Sequence, residues 1–465
     1  MKKIPDEHLH AIPLGEIVMK IEPPPVFRPD DYFFHEYCEI DEGKPDKIVN
    51  DVGLIPNLGD FTRHISTIQR IEKTKKMQIL ALGGSITAGG YFEEFARRLR
   101  QQSHLEVTVY NHGHGATEIT YTIFCVDIDK YEPDLVMIDF AVNDDGHPKL
   151  MEALIRKSLS MKSKPIVLLA NMWYDKTCPP PRYLLHSFYY KIPIINMCPA
   201  ISLCFGKHRL PRWRAEEYSK TDGVHPWGPK GVPFIGAIFY SWWTRTIDVI
   251  KDLKGGSSLM SLEYRQIHMS QELPPQIYHN NPIGTCTRCD ALADDSDAKL
   301  TPLEEPLGFK VVTRMKIGYG GFNSNCDGVI NNCDKNASTK SFKRSWQADQ
   351  PGSKISFKFY GTSVKVAMWQ RRDGMGVLYA TVDGDNTRVA KASGFFKGYT
   401  WAMERNNTGR SEIVPLFEGL EDKEHSITFV VSDEPANPWV KGHISQIFAL
   451  LSASDNDKCK SISLK

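Results

Sequence analysis

The stretch ALGGSITAGG, residues 81–90, places Ser85 in a glycine-rich turn after a short apolar run. Such a turn could bind a dinucleotide, cradle a phosphate or present a serine nucleophile. Its glycines fit neither the dinucleotide motif GxGxxG nor the phosphate loop GxxxxGK[ST]. The nucleophile elbow GxSxG also fails, because Thr87 occupies the place of its second glycine. The turn alone is therefore consistent with two alternatives. It could present a serine nucleophile, or its glycines could have a purely steric role.

Three later segments supply the other groups that acyl transfer requires. Gly113 lies in YNHGHG, Asn143 in FAVND, and Asp222 precedes His225 by three residues in TDGVHP. Each segment follows a separate strand or loop, and the carboxyl ends of parallel strands meet at one edge of a sheet. With Ser85 as nucleophile, His225 is the predicted base and Asp222 its orienting group. The predicted oxyanion donors are the backbone N–H groups of Ser85 and Gly113 and the amide of Asn143.

Each of these residues also has a purely structural explanation. Ser85 could cap a helix, Asn143 could bond its own loop, and His225 could be a surface histidine before a proline. His112 and His114 form a His-x-His pair that suggests a metal site, but no third ligand is evident. The predicted serine mechanism needs neither a metal nor an organic cofactor, and we predict neither.

Short apolar runs alternate with helical patterns between residues 77 and 250. The runs lack strict alternation, as expected of strands buried on both faces of a parallel sheet, and cover 77–82, 105–110, 135–140, 165–170 and 192–196. Helical periodicity intervenes over 91–100 and 148–159. The repeated order of strand, helix and strand predicts an α/β fold with a doubly wound parallel sheet.

Over residues 77–250 the chain resembles the SGNH (GDSL-type) serine hydrolase family of esterases. Ser85, Gly113 and Asn143 match its first, second and third sequence blocks in order, and Asp222 with His225 matches its fifth. The resemblance implies a flavodoxin-like layer, an acyl-serine intermediate that water hydrolyses, and no cofactor.

The chain departs from the family pattern at positions next to the predicted catalytic residues. Gly84 stands where the family has an aspartate, Ala141 replaces a glycine, and Gly115 comes one residue sooner than usual. These departures bear on subfamily and substrate more than on activity.

Past residue 306 the pattern changes to short alternating runs. Alternation over 354–359 and 364–368, and more loosely over 377–382, 413–417 and 426–431, predicts an antiparallel β-sandwich. The region loosely resembles the jelly-roll modules of carbohydrate esterases, since a strand ending in Val382-Asp383-Gly384 is followed by His425 and an alternating strand. This resemblance implies that the substrate is an acyl group, in particular an O-acetyl group, on a glycan.

Four aromatic residues of this region could stack on sugar rings: Trp369, Tyr399, Trp401 and Trp439. The alternative is that they fill the sandwich core, where large aromatic side chains contribute most. The predicted function is a serine esterase that removes acyl groups from carbohydrate. An O-acyltransferase with the same site and a non-catalytic glycan-binding protein on a hydrolase scaffold are the alternatives.

A chain of 465 residues is too long for one compact core. We expect five segments along it. They are an extended lead-in over 1–70, the hydrolase domain over 71–252, a linker over 253–305, the sandwich over 306–453 and a tail over 454–465.

The formal net charge of +1 gives no reason to expect nucleic acid as a partner. No apolar stretch reaches the roughly 20 residues of a membrane-spanning helix. The start lacks the apolar core of a signal peptide, which predicts a cytoplasmic protein if the chain is complete and a secreted one if a targeting segment was removed.

Four of the ten cysteines stand close together in the sequence: Cys286, Cys289, Cys326 and Cys333. We rank disulfides that anchor the linker to the sandwich first and free thiols second. Zinc ranks third, because the gap between Cys326 and Cys333 exceeds the usual spacing of zinc ligands.

Overall fold

The computed structural model describes most of the chain from residue 59 to residue 454. The described residues are 59, 61–114, 117–142, 147–172, 182–197, 225–226, 228–255, 273–278, 286–292, 298–316, 325–326, 341–371, 374–395, 410–437 and 442–454. The predicted tail past residue 454 and most of the predicted lead-in lie outside them.

Five parallel strands form the first sheet, in the order β2-β1-β3-β4-β5. Their bounds are β1 Lys76–Gly83, β2 Glu106–Gly113, β3 Leu135–Asp139, β4 Ile166–Asn171 and β5 Ile194–Asn196. The strands β3, β4 and β5 are buried along their whole length, which explains why the sequence shows continuous apolar runs there. The strand order reverses between β1 and β3, as in doubly wound folds. The predicted fold class is confirmed.

Helices cover both faces of this sheet. They are α1 Thr62–Thr74, α2 Ser85–Ala88, α3 Tyr91–Gln102, α4 Ile119–Cys125, α5 Pro148–Leu159, α6 Leu184–Tyr189 and α7 Gly228–Gly255. The helices α1, α3 and α7 pack on one face, and α4 and α5 pack on the other. Helix α1 begins inside the predicted lead-in, because Ile65, Ile68 and Ile71 recur at helical spacing and bury one side of it.

Two further sheets form a β-sandwich. The larger has the order β15-β12-β17-β10-β8-β9, with β6 also pairing with β17 and β7 with β6, and the smaller has the order β11-β16-β13-β14. Their strands are β6 Cys286–Ala291, β7 Ala298–Lys299, β8 Lys310–Lys316, β9 Asn325–Cys326, β10 Ser341–Ala348, β11 Lys354–Gly361, β12 Ser363–Gln370, β13 Gly376–Val382, β14 Asp385–Ser393, β15 Arg410–Phe417, β16 Lys423–Pro435 and β17 Ser445–Ser454. Phe357, Phe429 and Val366 belong to one core that the two sheets share. The predicted antiparallel arrangement is confirmed, with β6 and β7 as a parallel pair.

A turn that the sequence analysis singled out joins β13 to β14. Asp383 and Gly384 both have positive φ angles, 52° and 71°, as a two-residue hairpin turn requires. The Asp383 carboxylate accepts hydrogen bonds from His425 Nδ1 at 2.7 Å and from the Ser426 N–H at 2.8 Å. Burial raises the pKa of Asp383, but these bonds outweigh it and hold that pKa below 3.8. The aspartate thereby ties the turn to β16.

The larger sheet of the sandwich has a second buried face, which packs against the first sheet's helical layer. Phe448 and Leu451 of β17 and Trp369 of β12 belong to the same core cluster as Phe124 of α4. All ten residues of β17 are buried, so that this strand lacks the alternation that marked its neighbours in the sequence. Trp369 is buried as well, and the prediction that it stacks on sugar rings is therefore wrong. Tyr399, Trp401 and Trp439 lie outside the described residues.

Strand β6 lies within residues 253–305, which the sequence predicts to be a linker. It pairs with β17 from Cys286 to Ala291, and Arg288 bonds to the carboxylate of Asp290 at 2.9 Å inside the sheet. A buried strand that neutralises its own charges in this way carries no apolar pattern, which is why composition alone favoured a linker.

One disulfide joins β6 to the first sheet's layer. Cys289 is bonded to Cys125 of α4, 164 residues earlier in the chain. Cys289 forms a disulfide, as the ranking favoured, but the bond ties β6 to α4 of the parallel-sheet layer and does not anchor the predicted linker to the sandwich. Its partner is a cysteine that the sequence analysis did not consider. Cys333 lies outside the described residues.

Replacing Cys125 or Cys289 by alanine should lower the free energy of unfolding by about 2–5 kcal/mol, because the bond closes a long loop in the unfolded chain. Urea unfolding measures the loss, and the double variant should lose little more than either single one. A thiol reductant should lower the urea midpoint of the wild type and leave the variants unchanged. An unchanged wild-type midpoint would contradict the disulfide.

His64 of α1 is a buried side chain whose protonation affects the stability of the fold. Its ring lies 5.5 Å from that of Phe61 and 6.3 Å from that of Trp242 in α7. Within the described part of the chain, neither ring nitrogen has a hydrogen-bond partner. Burial lowers the pKa of His64 from 6.5 to about 3, so the folded protein holds this ring neutral.

The unfolded chain binds a proton at His64 below pH 6.5, whereas the folded chain does so only below about pH 3. Stability should therefore fall as the pH drops through this window. Between pH 7 and pH 4.5, His64→Phe should remove about 2–3 kcal/mol of the acid-induced loss, measured by urea unfolding. The exposed His104→Asn serves as control and should keep the wild-type pH dependence. The same loss in wild type and His64→Phe would refute the argument.

Candidate active site

The first three strands of the parallel sheet end side by side. Gly83, the last residue of β1, is in register with Gly113 of β2 and with Asp139 of β3. The Gly84 N–H donates to the carbonyl of Asp139 at 3.2 Å, and the His114 N–H donates to the carbonyl of Gly83 at 2.9 Å. The turn after β1 is therefore held from both sides.

Helix α2 leaves no space for a side chain at two glycines. A Cβ on Gly83 would lie 1.9 Å from Oγ1 of Thr87, and a Cβ on Gly113 would lie 2.2 Å from the backbone nitrogen of Ala88. Close packing thus accounts for both glycines. The turn presents a serine on a helix pressed against the sheet edge.

Ser85 is the first residue of α2. Its Oγ lies 2.6 Å from Nε2 of His225, although 140 residues separate the two in the chain. His225 lies just ahead of α7, which packs against α3 in the core beneath the site. A serine hydroxyl that donates to a neutral imidazole at this distance is arranged to lose its proton.

The other predicted site residues divide into two groups. Asp222 and Asn143 lie outside the described residues, and their roles stay predictions. Gly113 lies at the same edge as Ser85, but its N–H donates to Oδ1 of Asn111 at 2.7 Å. This amide is available to a substrate only where the exposed Asn111 side chain turns away.

The His-x-His pair contacts aromatic neighbours. Nε2 of His112 lies 2.7 Å from the hydroxyl of Tyr131, and the ring of His114 meets that of Tyr121 edge to face at 5.0 Å. Among the residues that the structure describes, no three His, Cys, Asp or Glu side chains are grouped to hold a metal ion. No helix in that same part of the chain has the length and apolarity needed to cross a membrane.

Asp139 was missed by the sequence analysis. Its carboxylate accepts hydrogen bonds from Oγ1 of Thr87 at 2.9 Å and from the hydroxyl of Tyr91 at 3.2 Å. Burial raises the pKa of Asp139 from 3.8 to about 7, against the lowering effect of these two bonds. The signal was an acidic residue inside the apolar run LVMIDF (135–140), where a buried strand would otherwise carry no charge.

Comparison with known proteins gives matches among solved structures. No protein-family model matches the chain, and no curated protein matches it. Crystal structures of a two-domain esterase active on acetylated mannans, one co-crystallised with mannopentaose, align with TM-scores of 0.53 and 0.55 at 19% and 20% identity. Both alignments cover 87% of this chain and 98% of that esterase. An acetylxylan esterase from Geobacillus stearothermophilus aligns over 37% of this chain and 94% of its own, with a TM-score of 0.28 and 15% identity.

At identities this low, the likeness to the mannan esterase shows the fold. The alignment extends over the parallel-sheet layer and the β-sandwich of this chain. The predicted likeness to the architecture of carbohydrate esterases is confirmed at that level.

Gly113→Ala should disturb the site, because the added Cβ collides with the backbone of α2. We expect a loss of about 1–3 kcal/mol in the free energy of unfolding, together with loss of the p-nitrophenyl acetate hydrolysis that a paired serine and histidine can catalyse. Gly352→Ala is the matched control: its Cβ meets nothing within 4 Å, but its positive φ of 84° makes alanine strained. The control should lose comparable stability and keep its activity. Full activity in Gly113→Ala would contradict the packing argument.

Proposed function

We propose that this protein is a serine esterase that removes acyl groups, in particular O-acetyl groups, from carbohydrate. The observation that carries the proposal is the 2.6 Å contact between Oγ of Ser85 and Nε2 of His225. A histidine within hydrogen-bond reach of a serine on a sharp strand-to-helix turn is the arrangement that activates a serine nucleophile.

The reaction follows from this pair. His225 accepts the hydroxyl proton while Oγ of Ser85 attacks the ester carbonyl carbon. Collapse of the tetrahedral intermediate breaks the bond to the sugar oxygen, which takes the proton from His225 as it leaves. Water then gives a proton to His225 and attacks the acyl-serine. Collapse of this second intermediate breaks the bond from the acyl carbon to Oγ and releases the carboxylic acid, and His225 returns its proton to Oγ of Ser85. In this proposal Asp222 fixes the tautomer of His225 from three residues earlier.

Stabilisation of the oxyanion is assigned to three N–H donors. The proposed donors are the backbone amides of Ser85 and Gly113 and the side-chain amide of Asn143, and loss of one such donor typically costs about 2.7–4 kcal/mol. Asn111 competes for the Gly113 amide. Because its side chain is exposed, it can turn into solvent when a substrate oxygen replaces it.

The substrate class rests on the likeness to the esterase active on acetylated mannans. That likeness extends over the sandwich as well as the parallel-sheet layer, since it spans 98% of the other chain. A shared architecture of both parts supports a shared kind of substrate, an acetylated polysaccharide. An O-acyltransferase would use the same serine and histidine with a sugar hydroxyl in place of water, and it differs only in its product.

Ser85→Ala should lower the rate of p-nitrophenyl acetate hydrolysis by about 10³-fold or more, because no hydroxyl remains to attack. The matched control is Ser103→Ala, which removes a partly buried serine hydroxyl near Tyr240, at the far end of α3. Both variants should keep the wild-type thermal midpoint. Equal rates in wild type and Ser85→Ala would remove the enzyme proposal, whereas a fluorophosphonate label on a different serine would show that the nucleophile is misassigned.

The glycan part of the proposal has its own readout in the same experiment. Wild type should release acetate from acetylated mannan or xylan, and Ser85→Ala should not. Hydrolysis of p-nitrophenyl esters without release from any acetylated glycan would restrict the proposal to a simple esterase. Acetyl transfer to an added oligosaccharide would identify the acyltransferase alternative.

A further inference from the structure

Helix α2, which carries Ser85, is too short to hold its own orientation. It comprises four residues, and its first backbone bonds run from the Ala88 N–H to the Gly84 carbonyl and from the Gly89 N–H to the Ser85 carbonyl, at 3.0 and 3.1 Å. A single turn of this kind is marginal without outside contacts. The direction of the Ser85 hydroxyl therefore depends on what the turn rests against.

Asp139 contacts this turn at both ends. Its main-chain carbonyl accepts the Gly84 N–H, one residue before Ser85, at 3.2 Å. Its carboxylate accepts the Thr87 hydroxyl, two residues after Ser85, at 2.9 Å. The nucleophile thus lies between two points that are fixed by one residue at the end of β3.

The cost of this arrangement indicates a role beyond filling space. Asp139 is buried, and in the described part of the chain its carboxylate is bonded by the hydroxyls of Thr87 and Tyr91 and by no cationic side chain. Burying a carboxylate without a cation is unfavourable. A leucine or methionine would fill such a place at lower cost if packing were the only requirement.

We propose that Asp139 is a positioning residue for the nucleophile: its carbonyl and carboxylate hold Gly84 and Thr87 and thereby set the distance from Oγ of Ser85 to Nε2 of His225. Thr87 transmits this constraint within α2. The inference rests on the proposed function, because it assigns a role to Asp139 in the reaction of Ser85.

The test removes the hydrogen bond between Thr87 and Asp139 and keeps the shape of the side chain at position 87. Thr87→Val deletes the hydroxyl that Asp139 accepts, and kcat for p-nitrophenyl acetate should fall roughly 10- to 100-fold, because a nucleophile displaced by about 1 Å reacts that much more slowly. KM should stay near the wild-type value, since substrate contacts are untouched. Thr87→Ser returns a hydroxyl and should restore most of kcat. Asp139→Ala, which removes the oxygen that accepts the Thr87 hydroxyl, should lower kcat in the same way.

Thr246→Val is the matched control. Thr246 is buried in α7 and donates to the carbonyl of Trp242 at 2.8 Å, so its replacement by valine also deletes one buried hydroxyl bond, at a distance from the turn. Its kcat should equal that of the wild type. A purely structural role for Thr87 would give the two valine variants the same thermal midpoint and the same kcat.

The outcomes separate this inference from the proposed function. A wild-type kcat in Thr87→Val would overturn the inference, and so would a loss of kcat that Thr87→Ser does not restore. The proposed function would still stand if Ser85→Ala were inactive. Full activity in Ser85→Ala would overturn the function and the inference together. If Thr87→Val does not fold, Asp139→Ala decides: a lowered kcat at unchanged KM supports the inference, and an unchanged kcat overturns it.

Discussion

A helix of four residues is pressed against the ends of three parallel strands, and this contact leaves no space for a Cβ at Gly83 or Gly113. The contact fixes where Ser85 stands relative to the sheet. His225 reaches the serine from the segment that precedes α7, the long helix that covers one face of the same sheet. Two distant parts of the chain therefore meet because the sheet and its helices pack closely. The proposed acyl transfer needs this rigidity, because it is most efficient when nucleophile and base are held in place beforehand.

The β-sandwich contributes to the same rigidity from the opposite face. Its larger sheet packs one side on the smaller sheet and the other on α4. That helix follows the segment that carries Gly113 and His114, and the disulfide at Cys125 ties it to β6. The sandwich is thus part of the structural support of the parallel-sheet layer. Its removal would expose the apolar side of α4 and of the layer around it.

The sequence was sufficient to predict those strands in which one physical signal dominates. Buried parallel strands gave continuous apolar runs, and the half-buried strands of the sandwich gave alternation. The strand β17 was missed because both its faces are buried, and β6 because Arg288 and Asp290 neutralise each other inside the sheet. Local spacing in the sequence does not predict a disulfide between cysteines that are 164 residues apart. The meeting of Ser85 with His225 was predicted from the residue types and from the order of the blocks that resemble the serine hydrolase family. The support beneath the serine needed coordinates, because no local pattern marks a carboxylate that acts through a neighbouring hydroxyl. The segment boundaries stay a prediction.

The packing of α4 on β6 and β17 has a consequence for biosynthesis. A ribosome adds roughly 5–20 residues each second, so β6 emerges on the order of 10–30 s after α4, and β17 on the order of 15–65 s after it. During that interval the first sheet can form while one flank of its helical layer still faces water. Nascent chains halted before residue 286 should therefore be recognised by chaperones that bind apolar surface, and chains released after residue 454 should escape them.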